Sequence, residues 1–372
     1  MGRDRAATRR DLRGGRILRF LHSGWTRAAI VVAAAAGVFA LLWWRGPAWG
    51  AVADAFTAVR WEWVAAAVGL NLLSVGVRAL AWRTVIVQAF ERPHPSLPLV
   101  FSAFSVGLFA NAILPGRVGE LARVAVLNRR LPQQAWAQLL GTVFAHRIFD
   151  LLAVIVLILY VLATAHIPEW AVTGLIVIVI AGVALFTVAV MSARHHRRTR
   201  LEEGLGAFRK VVRLARYGLG VMRSPGAAAL ALLGQLLGWT CQLFAVYTAM
   251  LAFDINEGLP AAGLVLVLMN VATIFPLWPG NVGLVQAAVA LPLFSYYGVA
   301  KGTGIAFGFG LQAIEASVGV GFGLIFLARE GLSFAMLKVM PDASQAEAPA
   351  GEISAERLAE ADAERPRARV PG

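Results

Sequence analysis

A chain of 372 residues that is 59% hydrophobic and only 15% charged, with a mean hydropathy of +0.69, is too apolar to fold as a water-soluble domain. A net charge of +13 would point to nucleic acid in a soluble protein, but here the basic residues gather between apolar segments, the loop bias of a polytopic membrane protein, so no nucleic-acid partner is expected. One cysteine, Cys241, excludes an intramolecular disulfide, and no Cys/His spacing suggests a metal, so neither metal nor cofactor is expected.

Residues 1–27 carry Arg3, Arg5, Arg9, Arg10, Arg13, Arg16 and Arg19 and are expected on the anionic cytoplasmic face. Residues 28–330 read as the membrane domain. A first span is predicted over 28–44; it ends in the interfacial pair Trp43 and Trp44 without a small-residue cleavage site, so it reads as an uncleaved helix. A short external linker, 45–60, leads to a second span opening at Trp61 and Trp63 and ending near Arg78, Trp82 and Arg83. That basic end reads either as interfacial anchoring by snorkelling or as substrate contact.

The next stretch breaks the apolar pattern: Asn111, then Leu114-Pro115-Gly116-Arg117-Val118-Gly119-Glu120, then Arg123. Pro115 biases Leu114 away from helix and Gly116 tolerates almost any backbone angle, so one helix stops and another starts. The new helix would aim unpaired N–H groups and Arg117 at one place, a site for an anion. Glu120 and Arg123, at i,i+3, can instead simply neutralise each other. If 97–114 crossed the membrane completely, Arg129, Arg130 and the basic segment 194–223 would all fall outside, against the positive-inside bias. A re-entrant hairpin over 97–130, entering and leaving on the cytoplasmic side, removes the conflict. Its arms, roughly 24 Å and 15 Å long, fall short of a core of about 30 Å.

A span over 137–163 follows, with His146, Arg147 and Asp150 in its first half; Arg147 and Asp150 form either a local ion pair or part of a relay lining the cavity of Arg117. A further span, 171–191, leads to a basic cytoplasmic loop, 192–225, whose helical period suggests an interfacial helix. After Pro225 a span over 227–253 ends at a loop with Asp254 and Glu257. A second hairpin, 261–291, turns at Pro276, Pro279 and Gly280, followed by Asn281, Gly283 and Gln286; it repeats the Pro-Gly-x-Val-Gly core of the first. The last span, 302–328, carries Gln312 and Glu315. The tail, 331–372, is poor in large apolar residues and is expected to be disordered and cytoplasmic. The fold expected is therefore an all-α polytopic membrane protein with about six full spans plus two re-entrant Pro-Gly hairpins in inverted repeats, whose turns approach near the midplane.

The two motifs also carry a resemblance. Asn111, Pro115, Gly116, Arg117, Gly119, Glu120 and Arg123 match one block, and Pro276, Pro279, Gly280 and Gly283 a second, of the lysylphosphatidylglycerol synthase and flippase-like family of membrane regions. Gln286 stands where that family often has an acidic residue. The resemblance implies an anionic phospholipid or lipid-linked intermediate as substrate. Some family members add a soluble aminoacyl-transfer domain; the tail is too short to hold one, so synthase activity is not expected.

The function expected is a carrier moving such a lipid between leaflets of a bacterial-type inner membrane. Asn111, Pro115, Gly116, Arg117, Gly119, Glu120, Arg123, Arg147, Asp150, Pro279, Gly280, Asn281, Gly283, Gln286 and Glu315 are the candidate substrate-binding residues. No G-x-x-x-x-G-K-[ST] is present, so transport would be downhill or coupled to an ion gradient. Two alternatives stand beside it: a membrane-embedded lipid-phosphate transferase or hydrolase using Glu120 or Asp150 as base, and a non-catalytic membrane partner of such an enzyme. The sequence leaves the oligomeric state open.

Overall fold

The computed structural model describes residues 49–90, 93–113, 118–131, 136–167, 169–194, 224–274 and 281–330. The described residues are helical, with no strand among them. The chain divides into two compact units, 1–57 and 58–372. The described part of the first is α1 (Trp49–Thr57), a helix where the sequence reading has only a linker; three alanines and an Asp54 carbonyl that accepts the Thr57 hydroxyl at 2.7 Å favour it.

The second unit runs α2 (Trp61–Ala89), α3 (Leu97–Ile113), α4 (Gly119–Arg130), α5 (Trp136–Thr164), α6 (Glu169–Arg194), α7 (Pro225–Ala252), α8 (Leu259–Ala272), α9 (Leu284–Tyr297), α10 (Lys301–Ala316), a π-helical segment (Ser317–Phe322) and α11 (Gly323–Arg329). Among the described residues five segments are long and apolar enough to cross a bilayer: Trp61–Ala89, Gln138–Thr164, Ala171–Val188, Pro225–Ala252 and Lys301–Arg329. They coincide with five of the six expected spans. The remaining span (28–44), the arginine-rich start, the core of the basic loop (195–223) and the tail lie outside the described residues.

Between the long helices lie short ones. The 17 residues of α3 and 12 of α4 rise roughly 25 Å and 18 Å, and the 14 of α8 and of α9 roughly 21 Å, all below a core of about 30 Å. Each pair packs arm against arm. A long helix, a short pair and a long helix thus occur twice, before and after α6. The connecting turns, 114–117 and 275–280, lie outside the described residues, and with them the expectation that they meet.

The first hairpin closes through glycine. A Cβ on Gly119 would collide with the Gly107 carbonyl oxygen and the Asn111 side chain, and the Gly119 N–H donates to Asn111 Oδ1 at 2.8 Å. Val118 holds α-region angles there, so Asn111 from α3 satisfies a donor at the start of α4 that a local cap would normally take. Gly119→Ala should therefore lower the unfolding midpoint in detergent, costing about 1–3 kcal/mol as overpacking does. A midpoint equal to the wild type would show that the arms do not meet here.

α2 and α7 run antiparallel along most of their length, from Arg60 N–H donating to Ala252 O (3.0 Å) to Gly234 against Ala81. A buried cluster including Val75, Trp82, Phe104, Val124, Leu127 and Leu139 joins α2 to α5, and Val318 and Leu327 bring in the end of the last long helix. Gly323 lets that helix lie against Phe109 and the Ser105 carbonyl. Below it, Glu330 accepts from Ser102 Oγ (2.8 Å) and Arg130 Nη2 (3.1 Å). The outward faces are apolar, as at Val177, Ile180 and Leu185 on α6, which suits contact with lipid tails.

Candidate functional site

Two polar stripes meet where α2 and α7 cross. On α2, Asn71, Ser74 and Arg78 fall at i, i+3 and i+7; on α7, Gln235, Trp239 and Gln242 fall at i, i+4 and i+7. Ser74 Oγ donates to Gly238 O at 2.7 Å and lies 3.3 Å from Gln242 Oε1. Gly238 has no side chain, and the stem of Arg78 uses that space: a Cβ there would stand 2.7 Å from Arg78 Cγ.

The Arg78 guanidinium consequently lies over the Trp239 ring, its Cζ 4.3 Å from the centroid. Arg78 Nη1 is 3.9 Å from Asp150 Oδ1, and Trp239 Nε1 donates to that same oxygen at 2.9 Å. Arg78 Nε and Nη2 are buried and have no hydrogen-bond partner among the described residues. A buried N–H left unpaired costs about 1–3 kcal/mol, more on a charged group. Two on one guanidinium need a reason.

Beside them is a cavity of about 180 Å3. Asn71, Ser74, Arg78, Gln242, Asn270 and Glu315 supply its polar lining, and Val75, Phe104, Leu108, Trp239, Val318 and Gly319 the rest. Gln242 Nε2 donates to Glu315 Oε1 at 3.1 Å. Among the described residues Glu315 forms no ion pair, unlike Glu120 and Asp150. A single buried water needs about 15 Å3. Pockets that enclose a whole small ligand run to about 300–1,000 Å3, so this one has the scale of a headgroup without its chains.

A charged network leads away from the cavity. Asp150 Oδ2 accepts from Arg147 Nη1 at 3.1 Å, and Arg147 Nε donates to Glu120 Oε1 at 3.0 Å. The other oxygen of Glu120 pairs with Arg123. Arg123 is 3% exposed, with its Cζ 4.9 Å from the centre of the Trp82 ring and 5.4 Å from that of Phe104. Both arginines nearest the core thus rest on aromatic faces. His146 is buried against Trp82 and Phe104, 3.0 Å from Gln235 Nε2. Among the described residues no three His, Cys, Asp or Glu side chains converge as a metal site.

This constellation sits inside a region with known relatives: the family described as lysylphosphatidylglycerol synthase TM region matches residues 28–323. The chain belongs to that family. The chain is also similar to a UPF0104 membrane protein of Methanothermobacter thermautotrophicus, with 22% identity over 280 residues covering 70% of this chain and 81% of that protein. No solved structure matches. As a member of the lysylphosphatidylglycerol synthase TM-region family with five long apolar helices, the protein is a multi-pass membrane protein.

Of the expected site residues, Glu120, Arg123, Arg147 and Asp150 form the network and Glu315 lines the cavity it leads to. Others hold the backbone. Asn111 and Gly119 close the first hairpin. Asn281 (φ 45°) donates to Ala272 O at 2.9 Å, Gly283 (φ 92°) adopts a backbone that favours glycine, and Gly283 N–H donates to Gln286 Oε1 at 2.6 Å. Gln286 Nε2 in turn donates to Gln312 Oε1 at 2.7 Å. Pro115, Gly116, Arg117, Pro279 and Gly280 lie outside the described residues.

One reading needs correction. The second long helix does not end near Arg78 and Trp82: α2 continues to Ala89, and Trp82 is fully buried, its Nε1 donating to Thr142 Oγ1 at 3.2 Å. Neither residue is an interfacial anchor. Asn71, Trp239, Gln242 and Asn270 are absent from the sequence reading; the first three fall on polar stripes of α2 and α7 visible as helical spacings, whereas Asn270 is a lone amide in the apolar α8.

Proposed function

We propose that the protein carries an anionic phospholipid or lipid-linked anion between membrane leaflets, with the phosphate docking on Arg78 in the cavity between α2, α7 and α10. The observation that carries this reading is the pair of buried, unpartnered N–H groups on Arg78 beside a cavity of headgroup scale. A guanidinium offers phosphate two parallel donors, and stacking on Trp239 presets its plane. Apolar Phe104, Leu108 and Val318 on the same wall suit the first carbons of an acyl chain. The paired short helices support re-entrant hairpins, and their repetition supports an inverted repeat around this site. Arg117, by its sequence position at a helix start, would serve the same anion.

The membrane proposed is a bacterial-type inner, or plasma, membrane, with both termini cytoplasmic. The transferase or hydrolase reading draws less support, because Glu120 and Asp150 are both engaged by arginines and neither is poised as a base.

Gly319 provides a direct test. It lines the cavity, and a Cβ added to it meets nothing within 4 Å. Gly319→Leu should insert and fold normally yet reduce translocation of fluorescent phosphatidylglycerol in proteoliposomes by at least about tenfold, a loss equivalent to ~1.4 kcal/mol. The lipid should emerge chemically unchanged. Unaltered transport by this variant would move the pathway away from the cavity, and a cleaved or modified lipid would favour the enzyme.

A further inference from the structure

Resting on that reading, we infer that the protein is an electroneutral symporter of a proton with a monoanionic lipid, and that Glu315 carries the proton. Arg78, Arg123 and Arg147 face Glu120, Asp150 and Glu315, so the described charges of the core balance only while Glu315 is ionised. Glu120 and Asp150 are each held by guanidiniums and would be costly to neutralise. Glu315 is different: its hydrogen-bond partner is the neutral amide of Gln242, which Ser74 orients from the far side.

The groups facing Glu315 set the exchange. Among the described residues, α2 contributes Arg78, the one formal charge on the cavity wall besides Glu315; α3 contributes Phe104 and Leu108; α7 contributes Gln242, with buried Cys241 adjacent in sequence; α8 contributes Asn270. A phosphodiester arriving at Arg78 adds one negative charge to a cavity in a membrane interior, where an uncompensated charge is expensive. Proton uptake by the Glu315 carboxylate, from water on the loading side, restores neutrality. When the lipid leaves, Arg78 again needs a counter-charge and Glu315 releases the proton to the opposite side. No bond of the lipid forms or breaks. The π-helical segment begins two residues after Glu315 and packs on α3, a local irregularity of the kind that recurs at functional positions.

The experiment uses the full chain in phosphatidylglycerol-containing proteoliposomes with fluorescent phosphatidylglycerol as probe and an entrapped pH dye. With the membrane potential clamped, one pH unit should sustain up to about a tenfold leaflet imbalance of probe. A potassium diffusion potential alone should sustain none. Proton entry should accompany lipid entry one for one. Glu315→Gln, which mimics the protonated carboxyl, should move probe in response to potential and not to the pH gradient, and Glu315→Asp should restore the pH response. Wild-type transport indifferent to the pH gradient would overturn the symport while leaving lipid carriage standing. So would a pH response that persists in Glu315→Gln, or complete inactivity of Glu315→Gln at wild-type yield and thermal stability, since the anion-loaded form requires a neutral side chain there. Absence of probe movement by wild-type protein under every gradient would remove the carrier reading itself.

Discussion

Replacing Arg78 with glutamine should reduce translocation of fluorescent phosphatidylglycerol by at least about 100-fold per correctly inserted molecule, because two charge-assisted hydrogen bonds worth ~1.5–3 kcal/mol each are lost. The fold should tolerate the change. Asp150 keeps Arg147 and the Trp239 indole N–H, the Arg78 link to it is long, at 3.9 Å, and Glu315, which loses its counter-charge across the cavity, keeps Gln242 and can hold a proton. Arg78→Lys should recover only a small part of the activity, since an ammonium cannot present paired donors or stack flat on Trp239. Normal transport by Arg78→Gln would eliminate the proposed docking point. A collapse in thermal stability would instead make Arg78 a structural cation.

The second large effect is on stability. Glu120 holds Arg123 with one oxygen and Arg147 with the other, joining α4 to α5. Glu120→Gln should cost about 3–5 kcal/mol, the usual penalty for breaking a buried pair while leaving its partner charged. Arg147 retains Asp150, so the damage should centre on Arg123, whose guanidinium would have only the Trp82 and Phe104 rings. Removing that charge as well, in Glu120→Gln/Arg123→Met, should restore most of the lost midpoint in detergent melts, because methionine fills an apolar site without a charge to satisfy. A double variant as unstable as the single would mean that Glu120 stabilises the hairpin by some route other than Arg123.

The sequence speaks plainly wherever an interaction is local. Long apolar runs mark the five long helices, and the three-residue spacings of Glu120 with Arg123 and of Arg147 with Asp150 correspond to ion pairs in the structure. Distance along the chain hides the rest. Glu120 and Arg147 are 27 residues apart on different helices, and only packing of α4 on α5 joins them. For Arg78 the sequence leaves interfacial anchoring and substrate contact both open, because neighbouring Trp82 and Arg83 suggest an interface; in the fold the helix runs on beyond them and turns Trp82 inward. Trp239 and Gln242 look like filler in an apolar span until α2 lies antiparallel against it. Gln286, conspicuous as a substituted acid, is occupied as a backbone support.

That last substitution makes the two hairpins unequal machines. Between Leu259 and Tyr297 the chain contains no Asp, Glu, Lys, Arg or His, while residues 97–130 contain Arg117, Glu120, Arg123, Arg129 and Arg130. The formally charged side chains of the two short-helix pairs therefore all belong to the first. The second touches the charged part of the molecule through neutral amides, Gln286 on Gln312, one helical turn before Glu315, and Asn270 on the wall of the cavity that Arg78 and Glu315 share. Two halves that repeat one order of helices thus differ in kind: one pair of short helices carries formal charge and the other only uncharged polar groups.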